Sequence, residues 1–236
     1  GMADYRMYAG KPVVIKPKST NFGLGITILK HNYDETDFKG ALQIAFEHDN
    51  TLLIEKFIPG REFRIFIIND EVVGILHRVP ANVTGDGVLN IGQLIDRKNE
   101  DPLRGKGYRT PLEKIRKGRE EEMFLKQQGM DFNTVPKEGE VVYLRENSNI
   151  STGGDSIDFT DDIDDSYKAI AVEAAKALNV KITGLDMMIQ DIHAPATPDN
   201  YAIIEMNFNP AIHIHCYPFK GKNRHLNHKM IRALGF

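Results

Sequence analysis

One cysteine, Cys216, stands in 236 residues, so no intrachain disulfide can form and a reducing, cytoplasmic setting is expected. No apolar run approaches the length of a membrane span, and Gly1-Met2-Ala3-Asp4 lacks a signal-peptide pattern. Neither sign of charge dominates: 30 Lys and Arg face 33 Asp and Glu, and the net of −3 argues against general nucleic-acid binding. Two glycine-loop patterns are missing as well. Gly23-Leu24-Gly25 has no third glycine in place and lies between strands, which excludes a dinucleotide fingerprint; Lys16 precedes its glycines, which excludes a Walker loop. Nor does the chain hold a convincing Ser-His-Asp or Cys-His arrangement, an internal repeat or a low-complexity tract.

What is present suits a soluble globular protein of one large domain or two small ones, 41% hydrophobic and 27% charged. Gly1 before Met2 reads as a remnant of tag removal, and the chain as a piece of a longer protein. Strands are expected at 13–17, 26–29, 51–54, 63–68, 72–76 and 141–144, with Asn69-Asp70 as a hairpin turn. Asp34 should cap a helix reaching about His48. A second helix is expected from about Asp164 to Leu178, with Tyr167, Ile170, Ala171, Ala174, Ala175 and Leu178 on one face, and a short one from Leu226 to Leu234.

Between Arg78 and Glu140 the composition turns polar and glycine-punctuated. From Arg97 to Arg119 nine Lys or Arg face three acids, which reads as a mobile basic flap or a solvated surface.

Ile203-Ile204-Glu205-Met206-Asn207-Phe208-Asn209-Pro210 places a carboxylate and a carboxamide on one face of an apolar strand, a burial that something must compensate. Upstream, Gly184-Leu185-Asp186-Met187-Met188-Ile189 holds a single acid, and the two runs look like a hairpin. Pairing Gln190 with Tyr201 sets Asp186 opposite Glu205. Facing carboxylates repel unless a cation lies between them, and Asp, Glu and Asn offer the hard oxygen donors that Mg²⁺ prefers. Lys16, ending a strand before a glycine-containing turn, could hold a phosphate, although alone such a lysine is more often solvated. His213 and His215, alternating on an expected strand, match no standard zinc spacing.

Val14-Ile15-Lys16-Pro17, the loop with Gly23 and Gly25, Glu55-Lys56-Phe57-Ile58-Pro59-Gly60-Arg61-Glu62, Gly184-Leu185-Asp186 and Glu205-Met206-Asn207 resemble, in order, the ATP-grasp carboxylate–amine ligases. Arg145 to Gly154 and Arg78 to Gly87 narrow the resemblance to the branch shared by cyanophycin synthetase and the fused bacterial glutathione enzyme. Lys16 to Ile26, Asn149 to Asp158 and Glu205 to Pro210 look most like the glutathione synthetase half of bifunctional glutamate–cysteine ligase/glutathione synthetase.

The resemblance implies an α+β ATP-grasp fold, two α+β subdomains whose antiparallel sheets grip ATP. Residues 1–77 would be the small subdomain, lacking its N-terminal part and leading into the core; 78–140 the lid and basic insert; 141–236 the core with the metal site. Lys16 would hold ATP phosphates beside the loop of Ser19, Gly23 and Gly25, and Lys56 and Ile58 would meet adenine through their backbone. Glu55 would join the nucleotide site and Glu62 the ribose. Asp186, Glu205 and Asn207 would bind Mg²⁺ or Mn²⁺, and Arg145 would steady the transferring phosphoryl group. Arg64, Arg78, Asn147, Ser151 and Gly153 would meet substrate.

The implied reaction joins γ-glutamylcysteine to glycine through an acyl phosphate, with a covalently fused glutamate–cysteine ligase domain as partner and neither nucleic acid nor membrane involved. A homodimer is compatible with it, and this piece alone could be inactive. Gly184, where D-alanine–D-alanine ligases carry arginine two residues before the metal aspartate, counts against that ligase and leaves anion binding to Arg145 or a segment not present. The alternatives are a cyanophycin-synthetase-like amino-acid ligase and a non-catalytic nucleotide-binding module.

Overall fold

The computed structural model describes residues 5–19, 25–30, 32–107 and 109–236. The chain divides into two compact units, Gly1–Pro59 and Gly60–Phe236, so the first boundary falls inside the 1–77 span treated as one subdomain above. Among the described residues no helix is long and apolar enough to cross a membrane.

In the first unit β1 (Val13–Pro17) lies between β2 (Thr27–Leu29) and β3 (Leu52–Lys56) in an antiparallel sheet, with α1 (Glu35–Phe46) against it. Strand alternation buries Val13 and Ile15 against Phe38, Ala41 and Ala45 of α1, which leaves Lys16 on the opposite face. Asp34 starts the helix by accepting from the Thr36 and Asp37 N–H groups at 2.8 and 2.9 Å, while Asp37 accepts from the Asp34 N–H, a reciprocal capping box.

The second unit holds β4 (Arg61–Ile68), β5 (Glu71–Val79), β6 (Asn82–Thr84), α2 (Ile91–Lys98), β7 (Arg104–Gly105), β8 (Leu112–Glu113), α3 (Arg119–Gln127) and β9 (Val141–Tyr143). It continues with β10 (Asp155–Asp158), α4 (Asp165–Ala177), β11 (Ile182–Ile189), β12 (Tyr201–Asn207), α5 (His213–Cys216) and α6 (Leu226–Ala233). Five strands form an antiparallel sheet in the order β10-β5-β4-β11-β12. Asn69 and Asp70, both at positive φ (48° and 66°), make the tight turn from β4 to β5.

One face of this sheet is apolar. Phe63, Ile65, Ile67, Ile75, Leu185 and Met187 pack against Tyr167, Ala171 and Ala175 of α4. The other face is split: Phe66, Ile68 and Val73 pack with Cys216 and Leu226 of the C-terminal helices, and the remainder carries charge.

Several expectations need correcting. β12 is the sheet's edge strand and Glu205 is exposed, so no burial has to be compensated there; Tyr201 and Met206 pack against the core while Ile203 and Ile204, apolar in sequence, are exposed. The hairpin register carries a bulge: Asp186 does face Glu205, but Met187 faces Ile203, Ile204 is skipped, and Gln190 bonds Asn200 rather than pairing with Tyr201. His213 and His215 lie on the short helix α5, not on a strand. Leu178 follows the last turn of α4 and is 61% exposed.

The polar segment 78–140 is no bare flap. With residues just beyond it, it builds its own core from Ala81, Val83, Ile91, Leu94, Ile95, Ile115, Leu125, Val142 and Leu144. The basic run within it is partly internal: Arg104 and Lys98 both pair with Asp155 of β10, and Asn82 Nδ2 donates to the same carboxylate at 3.0 Å. Scattered single apolar residues at helical spacing build that core, which a search for apolar runs overlooks.

Candidate active site

Alternation along β4 sends Glu62 and Arg64 to the face opposite Phe63 and Ile65, and the register of β11 sets Asp186 directly against Arg64 on one side and Glu205 on the other. The Arg64 guanidinium donates through Nε to Asp186 Oδ1 and through Nη2 to Oδ2 at 2.8 Å. Arg78 Nη2 donates to the same Oδ2 at 2.9 Å and pairs with Glu62, whose Oε2 also accepts from Ser148 Oγ at 2.5 Å. Asn207 Nδ2 donates to Glu205 Oε1 at 3.0 Å, which confirms that the two side chains share a face.

Asp186 is buried and Glu205 is not, so the facing carboxylates differ in kind. Burial pushes the Asp186 carboxyl up, but the Arg64 hydrogen bond and the charges of Arg78 and Arg64 outweigh it and hold the group below the ordinary carboxylate range. Thus the cations between strands here are two guanidinium groups.

Beside this cluster lies a residue that pattern reading passed over. The His215 ring is fully buried, edge-on to Phe66 at 5.4 Å, and neither ring nitrogen finds a hydrogen-bond partner among the described residues. Gly74 makes the room, because a Cβ there would lie 2.8 Å from His215 Nδ1. Burial, reinforced by the Arg64 charge, pushes its pKa down to about 3, so the ring is neutral at pH 7. His77, on β5, is pushed down to about 4 by burial and then by Arg61.

Arg145 stands at the N-terminal end of α3, where its Nε donates to Glu121 Oε1 at 2.6 Å and its Nη2 pairs with Glu120. Glu120, Glu121 and Glu122 form the acidic first turn of that helix. Asn147 Oδ1 accepts from Thr152 Oγ1 at 2.9 Å, and Ser151 lies in the single helical turn Ile150–Thr152. Gly153 follows at φ 94°, where a Cβ would meet Ile115 Cα at 2.8 Å, and its carbonyl accepts from Arg104 at 3.0 Å. These three residues therefore sit on the loop before β10 rather than on the sheet face that holds Asp186.

In the first unit Lys16 Nζ lies 2.7 Å from Glu55 Oε2, and the Ser19 N–H donates to Asp49 Oδ2 at 2.8 Å. Lys56 pairs with Val13 at the end of β3, Ile58 is half-buried, and Gly25 adopts φ 75°. Gly23 lies outside the described residues.

Among the described residues no group of three His, Cys, Asp or Glu side chains could hold a metal ion. Asp186, Glu205 and Asn207 instead combine two carboxylates with a carboxamide on one face, an all-oxygen donor set that fits a hard divalent cation.

Comparison with known proteins follows the same lines. Residues 2–90 match the family described as D-ala D-ala ligase C-terminus. The chain is 63% identical to the glutathione biosynthesis bifunctional protein of Desulfotalea psychrophila over 100% of its own length, and 57% identical to that of Clostridium perfringens over 98%. It spans about 30% of the length of these curated relatives. The crystal structure of a bifunctional glutathione synthetase from Pasteurella multocida superimposes with a TM-score of 0.74 at 47% identity, covering 95% of this chain and 31% of that one. Over the part of their length that it matches, the chain is similar to the bifunctional glutathione-biosynthesis proteins, and its fold is the ATP-grasp fold.

Proposed function

We propose that this chain is the part of an ATP-dependent carboxylate–amine ligase that forms glutathione from γ-glutamylcysteine and glycine. The observation that supports it most is the 63% identity to a glutathione biosynthesis bifunctional protein along the entire chain, together with a charged sheet face built around Asp186. In the proposed reaction the γ-phosphoryl group of ATP passes to the C-terminal carboxylate of γ-glutamylcysteine, forming an O–P bond and releasing ADP. The glycine amine then attacks the carbonyl carbon of the acyl phosphate, loses its proton, and inorganic phosphate leaves with the C–O bond.

No protein nucleophile is required; positioning and charge neutralisation do the catalysis. Lys16 holds phosphate oxygens, Lys56 and Ile58 offer backbone groups to adenine, and Glu62 accepts from the ribose hydroxyls. Arg145 steadies the transferring phosphoryl group and Ser19, Gly23 and Gly25 line the phosphate loop. Asp186, Glu205 and Asn207 would hold Mg²⁺ or Mn²⁺, which when bound neutralises phosphate charge. Arg64, Arg78, Asn147, Ser151 and Gly153 meet the peptide substrate, and residues 78–140 act as a lid that keeps water from the acyl phosphate.

To test this, the matching segment of the Desulfotalea psychrophila relative is replaced by this chain and phosphate release is followed with ATP and Mg²⁺. Release with γ-glutamylcysteine plus glycine is expected. Release with aspartate plus arginine alone would assign the chain to the cyanophycin type instead, and tight metal-independent nucleotide binding without any turnover would make it a binding module.

A further inference from the structure

Asp186 is the one proposed metal ligand that solvent cannot reach. Its side chain is 2% exposed, and both carboxylate oxygens are hydrogen-bonded, Oδ1 to Arg64 and Oδ2 to Arg64 and Arg78. The covering groups are themselves largely shielded, with Arg64 at 9% and Arg78 at 13% exposure, whereas Glu205 is exposed, accepts from Asn207 and also lies within hydrogen-bond reach of Asp186. The sheet is shaped to hold this arrangement. A Cβ at Gly184 would come within 3.0 Å of Arg64 Cδ and 3.4 Å of its Nη1, so the bare glycine lets the Arg64 side chain lie across β11 toward Asp186. Phe66, two residues along β4 from Arg64, packs edge-on to the buried His215 ring.

We propose that Arg64, assisted by Arg78, is a resident counter-cation that a divalent ion must displace from Asp186, so that the arginine and the metal compete for one carboxylate. The inference rests on the metal reading of Asp186, Glu205 and Asn207 given above. A buried carboxylate does not stand uncompensated, so the guanidinium supplies its charge partner until the ion takes over. Once displaced, the guanidinium carries unpaired N–H donors on the same face as the ion, the chemistry that recognises a phosphate or carboxylate. Arg64 would thus be a positioning residue that links cation loading to the availability of an anion receptor.

The test is a titration of the 236-residue chain with Mn²⁺ alone, reading free Mn²⁺ by electron paramagnetic resonance, with circular dichroism melts to confirm folding. Arg64→Met should bind Mn²⁺ about tenfold more tightly than the parent chain, because the competing charge is gone. Arg64→Lys keeps the charge but cannot cover both oxygens, so it should fall between the two; if Arg64→Met does not fold, this variant decides alone. Parent-like affinity in the folded arginine variants, with Asp186→Asn weakening Mn²⁺, would overturn the competition and leave the metal site standing. Parent-like affinity in Asp186→Asn would remove the metal reading itself.

Discussion

The two faces of the five-stranded sheet are cut from the same strands and follow opposite rules. On one, Phe63, Ile65, Ile67, Leu185 and Met187 pack under α4 with no polar group among them. On the other, the residues between them in sequence, Glu62, Arg64 and Asp186, are held by hydrogen bonds and charge. Burial of apolar area supplies stability with little demand on geometry, whereas buried charge is costly unless every group is partnered. The charged face therefore depends on complete partnership where the apolar face does not.

The largest effect that would sharpen this contrast is Ile65→Ala on the apolar face, expected to cost about 2–5 kcal/mol in chemical denaturation by leaving a cavity under α4. A loss well below that would mean the apolar face is not the principal source of stability. On the charged face, Glu205→Gln at the exposed edge should leave the melting temperature unchanged yet lower phosphate release by the chimeric enzyme about a hundredfold. Equal turnover in parent and variant would break the functional half of the comparison.

Gly184→Ala falls between the two. Its new Cβ would sit 2.7 Å from the Pro210 Cβ and 3.0 Å from Arg64 Cδ, so a loss of about 1–3 kcal/mol is expected, together with a displaced Arg64. The smallest effect concerns pH. His215 is pushed from 6.5 to about 3 in the folded chain, so between those values the unfolded chain binds more protons. Its contribution is fully present above pH 6.5 and is lost as pH falls toward about 3. His215→Leu should flatten that part of the stability profile measured by urea unfolding; an unchanged slope would mean the ring is accessible to protons in the folded state.

How far the sequence could be read depended on the range of the interactions. The Asp34 cap, the Asn69-Asp70 turn and the strand at 13–17 are local, and each was legible because neighbouring residues settle it. The facing of Asp186 and Glu205 came out as expected only because the bulge offsets by one residue the misread pairing at the loop end. Helices α2 and α3 were not, because their few apolar residues are buried by packing with distant segments such as β6, Ile115 and β9. The tie of Arg145 to Glu120 and Glu121 and that of Lys98 to Asp155 span 24 or more positions, and no local pattern announces them.

By itself, then, the sequence determined the period of each strand, the caps and turns, and that Glu205 and Asn207 share one face of their strand, because these follow from backbone geometry within a few residues. Only the tertiary structure decided that β12 lies at an edge, that the carboxylate at 186 is buried while its neighbour at 205 is open, and that two arginines from other strands close over it. Burial and charge partnership are properties of what packs on top, and that is set by chain segments far away in sequence.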